Sequence, residues 1–289
     1  MTAETTETGS ILDTIALEEL GAGHFRGRAH PGARTRTYGG EVAGQAVLAA
    51  SRTVAADRHI HAAHTYFLLP GDTTVATEFL VEEVRDGGSF SVRRVDARQN
   101  ERVIFTMLAS FQADEPGLSH QPPRPTVPEP EGLVPAEELF VGDDDNLGWL
   151  RRLSSAAGVD IRFPEPPGRV LGARGEATEP RQRAWLRSHS PVPSGRAEEA
   201  AAMTYLSDLF LLATVLNPHG VTIQDPNLQN ATINHSVWFH APLRVDEWFL
   251  YEQESRWAGG ARGLAHGEIY DAAGTLCATT MQEGLVRLR

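Results

Sequence analysis

The sequence predicts an α+β fold built twice along one chain, each copy a helix wrapped by an antiparallel sheet. Strand-like runs separated by turn residues occur in two sets, on either side of a proline-rich stretch. A helical segment precedes each set. The two sets also keep step. At an offset of 172 residues, Phe67 falls on Phe239, Pro70 on Pro242, Glu82 on Glu254, Gly87 on Gly259 and Gly88 on Gly260. Five identities in 47 positions are few. The Pro and Gly-Gly punctuation and four strand-like runs nevertheless stay in phase without a gap, which indicates an internal duplication.

Residues 40–53, GEVAGQAVLAASRT, read as a helix with a slim face of Gly40, Ala43, Gly44, Ala46, Val47 and Ala50, able to lie close against a curved sheet. Strand-like runs follow at 63–70, 77–86, 90–99 and 102–112, separated by Pro70-Gly71-Asp72, Asp86-Gly87-Gly88 and Gln99-Asn100-Glu101. Residues 115–145 contain prolines 116, 122, 123, 125, 128, 130 and 135 and read as an extended linker with an acidic end. Beyond it come a strand at 181–188, a helix from about 200 to 216, and strands at 231–242, 247–256, 262–271 and 275–288. The expected organisation is an N-terminal unit at 10–114, the linker at 115–145 and a C-terminal unit at 146–289. The opening MTAETTETGS reads as a short disordered lead-in.

The net charge of −12 makes nucleic acid an unfavourable partner, because such binding rests on neutralised phosphates. All 26 basic residues are arginine, which excludes a lysine Schiff base and a Walker A loop. The single cysteine, Cys277, lies in the apolar run TLCATTM and reads as a buried thiol. The apolar run 205–216 is too short to span a bilayer and contains Asp208, so no membrane span is expected. The N-terminus lacks the charged and apolar regions of a secretory signal, and the expected location is the cytoplasm.

A helix wrapped by an antiparallel sheet is the hot-dog fold, here doubled. The stretches YGGEVAGQAVLAA, HTYFLLPGD, RDGGSFSVRRVDARQN, FTMLASFQ, YLSDLFLL, NPHG, ATINHSVWFHAP, ARGLAHGEIY and TMQEG run in that order from about residue 38 to 284. In them the chain resembles bacterial acyl-CoA thioesterase II and its peroxisomal relatives. The resemblance implies hydrolysis of fatty acyl-CoA without a metal or other cofactor, by an Asp on the second helix, a Thr on the next strand and a Gln near the C-terminus. The matching positions are Asp208, Thr232 and Gln282. Members of the family usually carry Asp where this chain has Asn234. In a regular strand Thr232 and Asn234 share a face, which would place the missing charge beside the site. Sheet edges of a double hot dog are expected to pair with a second copy, giving a homodimer or homotetramer.

Thioester hydrolysis needs a nucleophile, a base and a place for the developing oxyanion. No Gly-x-Ser-x-Gly elbow is present. The apolar surroundings of Cys277 oppose a thiolate route. His59, His61 and His64 divide between strand faces, so no metal site is expected. Direct attack by water remains. From the residues alone, Asp208 reads equally as a water-orienting carboxylate or as a charge at a helix N-terminus. Thr232 reads as an ordinary strand former and Gln282 as a solvent-facing strand residue; only the resemblance lifts them to a site. His235 and His240 read as satisfied by neighbouring polar groups rather than as bases. Backbone N–H groups of Gly39 and Gly40 at the start of the first helix are expected to hold the thioester carbonyl oxygen. Arg85, Arg93 and Arg94 read as either CoA phosphate ligands or a solvated face. Two alternatives stay open: a hot-dog enoyl-CoA hydratase or dehydratase, disfavoured because no His follows Asp208 until His219, and a non-catalytic acyl-CoA-binding protein.

Overall fold

The computed structural model describes residues 9–29, 36–140, 146–148, 150–151, 154, 158–192 and 195–289. Most of the expected lead-in and the acidic end of the linker, at 1–8 and 141–145, lie outside the described residues. The strands are β1 (Leu17–Gly21), β2 (His24–Gly27), β3 (Arg58–Phe67), β4 (Thr77–Asp86), β5 (Phe90–Gln99), β6 (Arg102–Ala113), β7 (Val159–Arg162), β8 (Arg181–Ser188), β9 (Leu228–Phe239), β10 (Phe249–Gly259), β11 (Arg262–Tyr270) and β12 (Leu276–Leu288). The helices are α1 (Ile11–Ile15), α2 (Gly39–Ser51), α3 (Ala136–Leu139), α4 (Gly168–Gly172) and α5 (Arg196–Ser207).

All described strands join one antiparallel sheet in the order β1-β2-β4-β5-β6-β3-β9-β12-β11-β10-β8-β7. The second six repeat the topology of the first six in reverse, which makes this a double hot-dog α+β fold. The halves meet at β3 and β9, where His64 pairs with Ser236, its own counterpart at the offset of 172. That register is the signature of a pseudo-twofold axis. Strands β1, β2 and β7 have only four or five residues each, too few for a legible alternation.

The small residues of α2 meet the other helix as well as the sheet. A Cβ on Gly40 would lie 2.5 Å from the Tyr205 carbonyl oxygen, and one on Gly44 2.8 Å from that of Ala201. Only glycine lets the helices approach this closely. The rest of α2 buries Val42, Val47 and Leu48, worth roughly 1.5–3 kcal/mol each. The result brings the N-terminus of α2 to the C-terminus of α5.

Two expectations change. The segment 200–216 is not one helix: α5 stops at Ser207, Phe210 takes a left-handed φ of 66°, and a 3-10 helix follows over Leu211–His219. The whole stretch Arg196–His219 is long and apolar enough by composition to cross a membrane, yet 83% of its apolar window is buried, as in a core element. Next, the repeats do not stay in phase to the end. Phe105 faces Ala97, whereas Ala278 faces Ile269, so the last strand is offset by 173. The cause is a longer turn, with four residues between Arg98 and Val103 and five between Tyr270 and Leu276. The middle of the proline-rich stretch crosses the outer face of the second half. Val127 packs with Trp185, Leu250 and Tyr270, and the Trp185 indole donates to the Pro128 carbonyl at 3.0 Å.

Candidate active site

Asp208 caps the C-terminus of α5, not a helix N-terminus of its own. That end of a helix carries partial negative charge, but the opposite end of α2 faces the carboxylate and compensates. The Gly40 backbone N–H donates to Asp208 Oδ2 at 2.8 Å. Gln282 Nε2, from β12, donates to Asp208 Oδ1 at 2.5 Å and to Thr232 Oγ1, from β9, at 2.9 Å. A carboxylate only accepts, so the amide nitrogen must face it, and this fixes the orientation of the Gln side chain. The structure therefore joins Asp208, Thr232 and Gln282 from three elements far apart in sequence. Gln282 is fully buried, not solvent-facing, and its Oε1 has no hydrogen-bond partner among the described residues. Such a buried acceptor costs about 1–3 kcal/mol.

A β-bulge makes this meeting possible. Asn234 faces Glu283 and Thr232 faces Gly284, leaving Ile233 as an extra residue. Regular alternation from the buried His235 would turn Thr232 outward; the extra residue turns it inward to Gln282. The same bulge removes Asn234 from the site. Asn234 Nδ2 donates to Glu283 Oε2 at 3.2 Å, and Glu283 pairs with Arg262 at 2.8 Å. Across β3 it lies opposite Tyr66, which is exposed. The expectation that Thr232 and Asn234 share a face assumed a regular strand, which this is not.

Asp208, Thr232 and Gly39 border a cavity of about 720 Å³. Its walls are mainly apolar, with Phe67, Ile104, Phe105, Phe140, Phe163 and Leu212, and Arg36 and Arg169 also line it. Gly40 is not free as expected, because its N–H is engaged by Asp208. Gly39 keeps its place at the cavity, where a Cβ would lie 2.9 Å from Asp208 Oδ2 and 3.2 Å from the Phe67 ring. Neither Arg85, Arg93 nor Arg94 lines it. Arg93 is buried and holds Thr53 and Asp86, while Arg94 pairs with Glu82 at 2.6 Å on the surface.

His235 sits inside, sharing a hydrogen bond with Ser207 Oγ at 2.8 Å, and burial pushes its pKa down to about 4. It is neutral at pH 7. His64 bonds Ser236 on the outer face, and burial pushes the Cys277 thiol up to about 12. His59, His61 and His240 line a second cavity of about 280 Å³. That cavity is the counterpart of the first, with Phe239–Leu243 standing for Phe67–Gly71. There Ile60 replaces Thr232 and, by strand register, Ala109 replaces Gln282, so the first half holds no second copy of the polar group. Sequence reasoning assigned no site residue to β10, yet Tyr251 and Gln253 of that strand are fully buried against the segment carrying Asp208.

Two family models match the chain: acyl-CoA thioesterase over residues 159–285 and acyl-CoA thioesterase N-terminal domain over 27–112. The chain is 38% identical over 291 residues to acyl-coenzyme A thioesterase 8 of Mus musculus, covering 96% of this chain and 89% of that protein. The chain belongs to the acyl-CoA thioesterase family. Within the family it is also 32% identical to acyl-CoA thioesterase 2 of Haemophilus influenzae, over 96% of this chain and 97% of that one. Among solved structures, the acyl-CoA thioesterase II TesB2 of Mycobacterium marinum superposes with a TM-score of 0.79 at 38% identity, over 97% of this chain and 99% of that one. A hot-dog protein of Alicyclobacillus acidocaldarius superposes at 0.78 with 20% identity, over 96% and 98%, and speaks for the fold alone.

Proposed function

We propose that this thioesterase hydrolyses fatty acyl-CoA to fatty acid and CoA by direct attack of water held between Asp208 and Thr232. The observation that carries the reading is the single Gln282 amide bridging both residues at the edge of an apolar cavity. Thr232 Oγ1 accepts from Gln282, which leaves its hydroxyl proton to donate. A water in front of the pair donates one proton to Asp208 and accepts from Thr232. Its remaining lone pair then points at the thioester carbon, a positioning that lowers the barrier by cutting the entropy of encounter. Asp208 takes the proton as general base, and the thiolate of CoA leaves. The dipole of α2 and the Gly39 N–H favour the negative charge that grows on the carbonyl oxygen. The apolar walls accept the acyl chain, and Arg36 and Arg169 supply positive charge to CoA.

The functional unit in this reading is a homo-oligomer, supported by the exposed apolar side chains Tyr66, Leu68 and Leu108. The test of the activity is thiol release from a series of acyl-CoAs. Release that vanishes in Asp208→Ala supports the reading. Hydration of an enoyl-CoA without thiol release, or binding without either reaction, overturns it.

A further inference from the structure

The duplication provides an internal control. Because the two halves share one fold, each inward position of the second half has a counterpart in a half without the polar group. The comparison picks out four positions besides Thr232 and Gln282. His235 stands where the first half has Ala63, Tyr251 where it has Phe79, Gln253 where it has Val81, and Thr280 where it has Met107. All four polar side chains are at most 1% exposed. The fold itself is served at these places by hydrocarbon, so their polarity calls for another explanation.

Their hydrogen bonds converge on Ser207 and Leu209, the residues on either side of Asp208, with Thr280 acting through Tyr251. Tyr251 OH donates to the Ser207 carbonyl oxygen at 2.6 Å, and Thr280 Oγ1 lies 3.0 Å from the same phenol. His235 Nε2 lies 2.8 Å from Ser207 Oγ. Gln253 Nε2 donates to the Leu209 carbonyl oxygen at 2.7 Å. Asp208 sits between the two held residues, at the C-cap of α5, where the Leu209 N–H still bonds the Leu206 carbonyl at 3.0 Å. β10 thus holds the Ser207 and Leu209 carbonyls on both sides of Asp208, while His235 of β9 holds the Ser207 hydroxyl.

We propose that His235, Tyr251, Gln253 and Thr280 are positioning residues that fix the backbone on either side of Asp208 and so set the direction of its carboxylate. The proposal rests on the reading of Asp208 given above. These groups are paired except at His235 Nδ1, which has no hydrogen-bond partner among the described residues, and their bonds restrict the helix cap to one geometry. A side chain displaced by about 1 Å from its productive position can lose about a hundredfold in rate.

Tyr251→Phe removes only the hydroxyl, and Phe79 shows that the ring suits the equivalent position. Gln253→Met removes the amide, and with it both the donation to the Leu209 carbonyl and the acceptor for Gln182 at 3.3 Å. Each variant is measured for kcat, KM and urea midpoint beside the wild type and Asp208→Asn. The expected result is a roughly ten- to hundredfold fall in kcat with KM and midpoint close to wild type. Turnover within threefold of wild type in either folded variant overturns the proposal. So does a loss of turnover that only tracks loss of native circular dichroism, and so does failure of both variants to fold, since the shell would then belong to the core. Asp208→Asn separates the two levels. If it keeps full turnover, the reading of the site fails. If it is inactive while Tyr251→Phe is unimpaired, only the positioning shell fails.

Discussion

His235 offers a prediction whose size follows from its surroundings. Burial holds its pKa at about 4 in the folded chain, against 6.5 for a free imidazole. Between those values the unfolded chain takes up a proton that the folded chain refuses. Stability is therefore fully present above about pH 6.5 and is lost as pH falls toward 4, by up to 1.36 kcal/mol per pH unit and about 3 kcal/mol in all. Set against the roughly 5–15 kcal/mol of a typical domain, this is a large share. His61 and His240, also lowered by burial, add loss in the same direction, while Glu199, raised by burial, opposes it. The comparison is therefore made against His235→Gln, which keeps an amide nitrogen for Ser207. Urea unfolding is followed by fluorescence and circular dichroism at pH 7 and pH 5. The stability lead of wild type over the variant should shrink by about 2 kcal/mol between those conditions. Parallel pH slopes in the two proteins would refute the assignment.

Other predictions address the site. Gln282→Glu places a second carboxyl where the amide lies 2.5 Å from Asp208; the pair shares a proton, and kcat should fall about a hundredfold at pH 7 with the rate profile displaced to higher pH. Thr232→Val removes the hydroxyl but keeps the shape, and steady-state kinetics should show kcat about ten- to a hundredfold lower at nearly unchanged KM. Gly39→Ala puts a methyl 2.9 Å from Asp208 Oδ2 and should cost turnover by pushing the carboxylate aside, read by the same kinetics. Asn234→Asp places a carboxylate on the outer face beside Glu283, away from the cavity, and kcat should stay within about twofold of wild type.

The fold was legible because its signals are local and repeated. Turn residues between strand-like runs, such as Thr77–Asp86 and Phe90–Gln99, mark each element. The phase slip before Leu276 was not legible, since one added turn residue leaves the pattern of apolar positions intact. Thr232 and Gln282 were named only through resemblance, and Asp208 was an even choice between two readings without it; nothing in their own neighbourhoods says that they meet. Asn234 was misplaced because a bulge depends on the partner strand, and Ile233 gives no sign of being the extra residue. Tyr251 and Gln253 were missed because burial of a polar strand residue becomes visible only when the 207–209 segment that it holds is in place.

In the proposed reaction water, not a side chain, attacks the thioester. A single turnover of acyl-CoA by excess enzyme in ¹⁸O-water tests this most directly. Water attack predicts one ¹⁸O in the released acid, none in the peptide containing Asp208, and no acylated enzyme in the quenched mass spectrum. An unlabelled acid together with ¹⁸O in the Asp208 peptide would show that the carboxylate itself attacks, and would contradict it.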